Sequence, residues 1–477
     1  MRLATFRRLL QGCVGSVQRF CQRSDLFTVG FEEYPHMKSS SVSTIAGLCL
    51  VFLFLPGTSY AMPNFARMYG AECNMCHTQV PKLNRTGFEF RLAGYRLPAQ
   101  IGEKDEGFDL GKLFAARIQM QDLNKSHDDV NPAKNTSTNQ LTFFEATLYP
   151  LTGSWGGNFG SLVELSMAPG ESFEIENAYI RGVWGDAKKG WFTGKVGVMH
   201  PWEGFGASDR VIGNIRPLFQ KQASIGSPFY LWNVDEMAVE AGYYWPKFGT
   251  NLSARVSNGV IWKPDSGGAF SDHADPAQGG DLNKTKDQIG ENHKNWQVVL
   301  NQYFNQDSGL TVYYYSGEIP FPDIAEPTNP LTGVTTKDKY TRLAVYANYF
   351  VVPNKLNLLA GWSDNKDSLD DPNVTGVLSN STTAQNGSQV GKSGGFFGEV
   401  DYHPIDNKLA VALRYDDFDS SDKVDHNTQN AWTLSANYQV QNYVQFVADY
   451  QHKTTEAGAN PGENKDDQFL VRMIVIF

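Results

Sequence analysis

From about Gly111 to the end of the chain, apolar residues recur at every second position, a spacing that only extended strands turn into a continuous face. Trp432, Leu434, Ala436, Tyr438 and Val440 alternate with Thr433, Ser435, Asn437 and Gln439. Val444, Phe446, Ala448 and Tyr450 repeat the pattern against Gln445, Asp449 and Gln451. Leu343, Val345, Ala347, Tyr349 and Val351 do so again, as do Leu409, Val411, Leu413 and Tyr415. A helical membrane protein is excluded, because only Ile45 to Leu55 approaches the required hydrophobicity, well short of about 20 residues. Strands with one apolar and one polar face fit either an antiparallel sandwich, whose polar face meets solvent, or a membrane barrel, whose polar face lines the lumen.

Three features decide for the barrel. Connections alternate in length: Val352-Pro353-Asn354, Pro404 to Asn407 and Gln441-Asn442 are tight, whereas Ile261 to Lys294, Pro320 to Lys339 and Asp364 to Lys392 are long and polar. Short periplasmic turns and long extracellular loops have this rhythm. Aromatic clusters such as Tyr243-Tyr244-Trp245, Tyr313-Tyr314-Tyr315 and Tyr349-Phe350 match interfacial girdles. The last segment, Phe469 to Phe477, is an alternating strand that closes on phenylalanine, as outer-membrane barrels do. The predicted fold is a mainly β, sixteen-stranded antiparallel transmembrane barrel over residues 111–477. Only Pro201 to Gly206, without alternation, reads as either a plain extracellular loop or a segment folded inward.

The amino-terminal end carries different chemistry. Met37-Lys38, the apolar run Ile45 to Leu55 and the small residues Ser59 and Ala61 form a secretory signal cleaved after Ala61. The 36 residues before Met37 read as a misplaced start, or else as a long leader. The leader, 1–61, contains six of the Lys and Arg and three of the Asp and Glu, so its removal takes the formal charge from -10 to -13. The whole-chain charge of -10 already argues against a phosphate-backbone partner, and so against nucleic acid. Cys13, Cys21 and Cys49 leave with the leader.

The remaining cysteines stand in Cys73-Asn74-Met75-Cys76-His77, the C-x-x-C-H attachment sequence of a c-type haem. Two thioether bonds must reach two vinyl groups of one porphyrin, and the next residue offers imidazole to the iron as proximal ligand. A redox dithiol expects a βαβ context that is missing here, and a zinc site needs a fourth ligand, yet no other Cys or His lies between Met62 and Ser126. Residues 62–110 therefore read as a small helical monohaem module holding one covalent haem c. Its first helix, from Pro63, groups Phe65, Met68 and Tyr69 on one side and stops at Gly70. Arg67, Arg91 and Arg96 are candidate propionate partners. Met62, Met68, Met120, His127 and His200 are candidates for the distal position, Met68 and His200 foremost, with an open or water-bound position as the alternative; Met75, inside the attachment loop, is poorly disposed. About 45 residues make too small a core to stand alone, and a sixteen-stranded barrel leaves a channel, so the module is expected to plug the lumen.

Phe65-Ala66-Arg67, Gly70, Cys73-x-x-Cys76-His77, Leu83-Asn84, Gly87 and Gly94-Tyr95, followed by a porin-like barrel, resemble the fused outer-membrane cytochrome–porins of iron-oxidising bacteria. The resemblance covers the plan of the whole mature chain. It implies that Cys73 and Cys76 attach haem and His77 ligates its iron. It further implies electron transfer from an extracellular donor, Fe(II) included, to a periplasmic carrier such as a soluble cytochrome, and so an Fe(II) oxidase activity. A diffusion porin with haem as plug or sensor is the competing function. Two acidic runs, Asp416-Asp417-Phe418-Asp419 with Asp422, Asp425 and His426, and Asp364 with Asp367, Asp370 and Asp371, read as outer loops able to hold a hard cation or simply to be hydrated. The mature chain is expected to begin at Met62; amino-terminal sequencing of protein recovered from outer-membrane lipid checks this, and a start upstream of Met37 would contradict it.

Overall fold

The computed structural model describes residues 63–103, 109–169, 173–200, 210–221, 236–257, 294–322, 334–369, 390–422, 426–441, 443–456 and 462–477. An amino-terminal plug contains helices α1 (Pro63–Tyr69) and α2 (Arg85–Leu92), the short strands β1 (His77–Gln79) and β2 (Lys82–Leu83), and the helical turn α3 (Leu110–Leu113). The wall begins with β3 (Ala115–Asp128), β4 (Thr136–Tyr149), β5 (Gly153–Trp155), β6 (Phe159–Met167), β7 (Glu174–Asp186) and β8 (Gly190–Met199). After the helical turn α4 (Leu218–Lys221) come β9 (Glu236–Trp245), β10 (Thr250–Ser257), β11 (Asn295–Tyr303), β12 (Gly309–Pro322) and β13 (Val334–Val352). The wall ends with β14 (Leu356–Leu369), β15 (Val390–Ile405), β16 (Leu409–Asp419), β17 (Thr428–Gln441), β18 (Val444–Glu456) and β19 (Glu463–Ile476).

Each wall strand pairs antiparallel with its neighbours, and β19 closes on β3 from Ile476↔Arg117 to Lys465↔Asp128. Both β4 and β5 pair with β6, at Ala146↔Met167 and Gly153↔Ser161, so they are two pieces of one stave. The seventeen wall strands thus form sixteen staves, the expected number. Closure matters because hydrocarbon offers the backbone no hydrogen bonds, and a closed barrel has no edge.

Burial along the strands is inverted relative to a water-soluble protein. Thr433, Ser435, Asn437 and Gln439 are buried, while Trp432 and Leu434 are more than half exposed. On β9, Glu236 and Glu240 face inward and Met237 and Val239 face outward; on β10, Arg255 and Ser257 are inside and Leu252 and Val256 outside. An apolar exterior around a polar interior is the pattern of a barrel solvated by lipid. The chain is a closed outer-membrane β-barrel.

Three expectations are corrected. The aromatic clusters do not all belong to girdles: Trp245 and Tyr349 face outward, but Tyr244, Tyr313 and Tyr315 are fully buried on the inner face. Alternation sends adjacent aromatics to opposite sides, so one run serves both. The long loops are shorter than their polarity suggested, because β12 runs to Pro322, β13 starts at Val334 and β14 reaches Leu369. The acidic runs are therefore partly wall: Asp416, Asp417 and Asp419 lie in β16 and Asp364 and Asp367 in β14. Buried Asp367 is ion-paired to Arg342 at 2.7 Å, and Asp416 to Arg414 at 2.8 Å, so neither is a loop ligand. Asp370, Asp371 and Asp425 lie outside the described residues.

Between β8 and β9 the chain enters the barrel. Pro201 to Gly206 lies outside the described residues, but the segment 210–221 runs through the lumen. Its backbone amides are met by wall carboxylates: Ile212 donates to Glu399 at 2.9 Å, Asn214 to Asp449 at 2.8 Å and Leu218 to Asp416 at 3.2 Å. Arg414 and Asn437 donate to the carbonyls of Ile215 and Ile212. Leu218 and Phe219 of this segment join a lumenal cluster with Tyr313, Tyr315, Tyr346 and Phe397. Lipid-face and lumen-face positions should respond oppositely to charge. Val239→Arg is expected to destabilise the folded barrel by roughly 2–4 kcal/mol in urea unfolding, the cost of a midplane arginine; an unchanged midpoint would contradict the assignment of this face to lipid.

Candidate functional site

The plug sits against the inner wall at the end of the barrel where the short turns lie. Its helix α2 has two apolar edges. Phe88 and Leu92 pack on wall residues Val183, Trp191, Tyr244 and Tyr303, whereas Phe90 packs with Phe65, Tyr69 and Tyr95. Phe65 lies edge-on to Phe90 at 5.0 Å and stacks on Tyr95 at 5.5 Å. The helix ends where Gly94 takes φ +74°, a conformation glycine adopts without cost.

Polar anchors fix the plug from all sides. Asn64 donates to the Thr152 carbonyl at 2.7 Å, the Tyr95 and Tyr179 hydroxyls meet at 2.6 Å, and the Arg85 amide donates to Gln306 at 2.7 Å. Gln79 donates to Asn437 at 3.0 Å, and Gln445 donates to the Val80 carbonyl at 2.7 Å. Lys82 and Asp401, both buried, form an ion pair at 3.3 Å. The plug adds to bonds the wall already makes within itself, as between Gln445 and Asn437 and between Asn357 and Asp401, each at 2.7 Å.

The cysteine loop is held by two residues of the next turn. Asn84 caps α2, its Oδ1 accepting from the Gly87 amide at 2.9 Å. The same side chain donates through Nδ2 to the carbonyls of Met75 at 3.2 Å and Asn74 at 3.4 Å, and its backbone amide donates to Cys76 at 2.9 Å. Gly87 lets the helix touch the loop: a Cβ there would lie 2.2 Å from the Cys76 carbonyl oxygen.

Cys73, Cys76 and His77 border a half-open cleft with a cavity volume of about 260 Å³. Its walls are mostly apolar or aromatic, with Phe65, Tyr69, Pro81, Leu83, Phe90 and Tyr95 from the plug and Tyr149 and Leu162 from the barrel. Both cysteines are unbridged. Burial raises the Cys73 thiol and pushes Cys76 up to about 11. Redox dithiols need the opposite shift, toward thiolate. Burial lowers His77 to about 4, against the opposing pull of hydrogen bonds to the backbone of Pro81 and Lys82, so at neutral pH its imidazole is uncharged and able to donate a lone pair. Among the described residues no group of three or more His, Cys, Asp or Glu side chains converges as a metal cage. Two unbridged cysteines and a neutral imidazole on an apolar slot fit a c-type haem by the chemistry of their donors. On its other side His77 borders a polar recess with Asn74, Thr78 and the turn residues Asp307, Asn354 and Asp406, so it lies close to the short-turn mouth.

The other candidates are distributed unevenly. Arg91 borders the cleft. Arg96 does not: its guanidinium donates to the Gly156 carbonyl at 2.9 Å and to those of Gly157 and Phe159, clamping the plug to the β5–β6 turn. Arg67 lies on α1, with its side chain outside the described residues. Of the distal candidates, Met68 faces Gly153 of the wall and does not line the cleft. His200 follows β8, tied by its backbone to Asn177 and Arg255, and also stays off the cleft. Met120 is on the outer face of β3, and His127 bonds Asp466 at 2.7 Å at the long-loop end. Met62 lies outside the described residues; Met75 borders both cavities from within the loop. Arg210, which sequence reasoning did not single out, lines the cleft from the inward segment. Nothing in its surroundings in the sequence could have found it, because its position depends on a loop folding into the lumen.

The sequence profile of the family described as phosphate-selective porin O and P matches residues 336–477, a range whose described strands, β13 to β19, lie in the wall and which does not include the cysteine motif. Among solved structures, the chain is similar to an anion-selective porin from Comamonas acidovorans, at 11% identity and a TM-score of 0.48 over 76% of this chain and 99% of that one. The outer-membrane channel DcaP of Acinetobacter baumannii matches at 12% identity and 0.45, over 78% and 99%. OmpT, an outer-membrane protein of Vibrio cholerae, matches at 12% identity and 0.43, over 76% and 99%. A comparison with curated proteins finds no match. Gly87→Ala should undock α2 from the cysteine loop and raise hydrogen exchange across 73–92, with the wall strands unaffected; protection equal to that of the parent chain would refute the contact's role.

Proposed function

We propose that this outer-membrane barrel is an electron conduit, in which a c-type haem attached to Cys73 and Cys76, with His77 as proximal ligand, occupies the lumenal cleft. The observation that carries the reading is the C-x-x-C-H loop, seated by Asn84 and Gly87 on an apolar slot inside the barrel. When bound, the haem supplies the one-electron centre that about 30 Å of hydrocarbon lacks. The chain's own residues do the rest. Cys73 and Cys76 hold the group covalently, and neutral His77 presents a lone pair without first losing a proton. Phe65, Phe90, Tyr95 and Leu162 keep water from the slot, and Lys82 with Asp401 pins the loop to the wall. The recess beside His77 favours a periplasmic electron carrier, such as a soluble cytochrome, docking at the short turns. The donor is then extracellular, and ferrous iron is the one the motif resemblance suggests.

A second reading is a diffusion porin in which the module is a plug or sensor. The family match over 336–477 favours it, and on that reading phosphate or a similar small anion crosses the lumen. The two make opposite predictions in liposomes. On the conduit reading, an anaerobic visible spectrum should show haem reduction when ferrous iron or another impermeant reductant is added outside, with little solute flux. Free flux of small anions, with a spectrum indifferent to every external reductant, would overturn it.

A further inference from the structure

We propose that Arg210, supplied by the segment that descends into the lumen between β8 and β9, is a haem-propionate partner that acts together with Arg91 of the plug. The inference rests on the haem reading and assigns a residue of the barrel chain to the cofactor. The lining of the cleft is mostly apolar, and a carboxylate buried in it would need a cation. Arg91 and Arg210 are the cationic side chains that border it among the described residues. Two carboxylates, Glu72 and Glu164, border it as well. Glu164 is already engaged: it accepts from Tyr149 at 2.8 Å and Asn177 at 3.0 Å, and Arg117 lies 3.6 Å away. A propionate bound in this cleft would pair with the guanidinium groups rather than the carboxylates, because their planar fork suits a carboxylate. Arg96, the sequence candidate, does not line the cleft.

Arg210 leads into a segment whose position is set independently by Glu399, Asp449 and Asp416. Because this segment connects strand ends on the long-loop side, the arrangement couples that side of the barrel to the cofactor. Retention of the inward segment and retention of the group then stabilise one another.

The experiment is redox potentiometry of the purified full chain, produced with a c-type maturation system, for the parent and for Arg210→Gln, Arg210→Lys, Arg91→Gln and Arg96→Gln. A positive charge near the iron disfavours the ferric state. Arg210→Gln and Arg91→Gln should each lower the ratio of reduced to oxidised haem at fixed ambient potential by roughly tenfold, or about 59 mV for one electron. Arg210→Lys should hold the ratio within about threefold of the parent, and Arg96→Gln should leave it unmoved. If Arg210→Gln fails to assemble, the Arg210→Lys and Arg91→Gln ratios are the readout. Haem present with the Arg210→Gln ratio unchanged, or the lysine variant behaving like glutamine, would overturn the role of Arg210 and leave the conduit standing. Parent protein without covalent haem would overturn the conduit itself.

Discussion

A chain that crosses hydrocarbon must satisfy every backbone amide and carbonyl within itself, and a closed ladder of strands is one of only two ways to do so. The rest of this structure follows from that choice. The β19–β3 pairing removes the edges, and the period of two sends apolar side chains to lipid and polar ones inward. Sixteen staves enclose more space than their own side chains fill. The interior is instead occupied by the amino-terminal plug and by the segment 210–221. Both are written in the same chemistry, with wall carboxylates, amides and arginines facing backbone groups that water would otherwise solvate.

This construction gives the cysteine motif an environment that a short peptide cannot make alone. The plug's few aromatic residues form only part of the cleft; Tyr149 and Leu162 of the wall complete it. Asn84 links three things at once: the start of α2, the loop carbonyls of Asn74 and Met75, and the approach of Gly87 to Cys76. The Lys82–Asp401 pair is costly to break, because either partner alone would be a buried charge. The module is thus rigidly held rather than tethered.

Much of the fold was legible because periodicity is a local property. The segments around Trp432 and Val444 showed their two faces directly, and the stave count followed from turn spacing. Three things were not legible, each for a physical reason. Runs such as Tyr313-Tyr314-Tyr315 split between lipid and lumen according to register, which composition does not reveal. Strands extend beyond the membrane with polar residues on both faces, so Asp364, Asp367, Asp416 and Asp417 looked like loop. The inward segment carries no period at all, and its contacts lie more than a hundred residues away, at Glu399 and Asp449. At the site, Cys73, Cys76 and His77 stood out through their spacing. The separation of Arg91 from Arg96, and the arrival of Arg210, depended on tertiary packing.

The central claim is that the cysteine loop carries a covalent group, and the intact mass of the mature chain tests it most directly. Protein isolated from a host with c-type maturation and fully denatured should weigh the sequence mass of the processed chain plus one haem. Cys73→Ser combined with Cys76→Ser should return it to the sequence mass alone. A parent chain at bare sequence mass, with both thiols free to alkylation, would contradict the account.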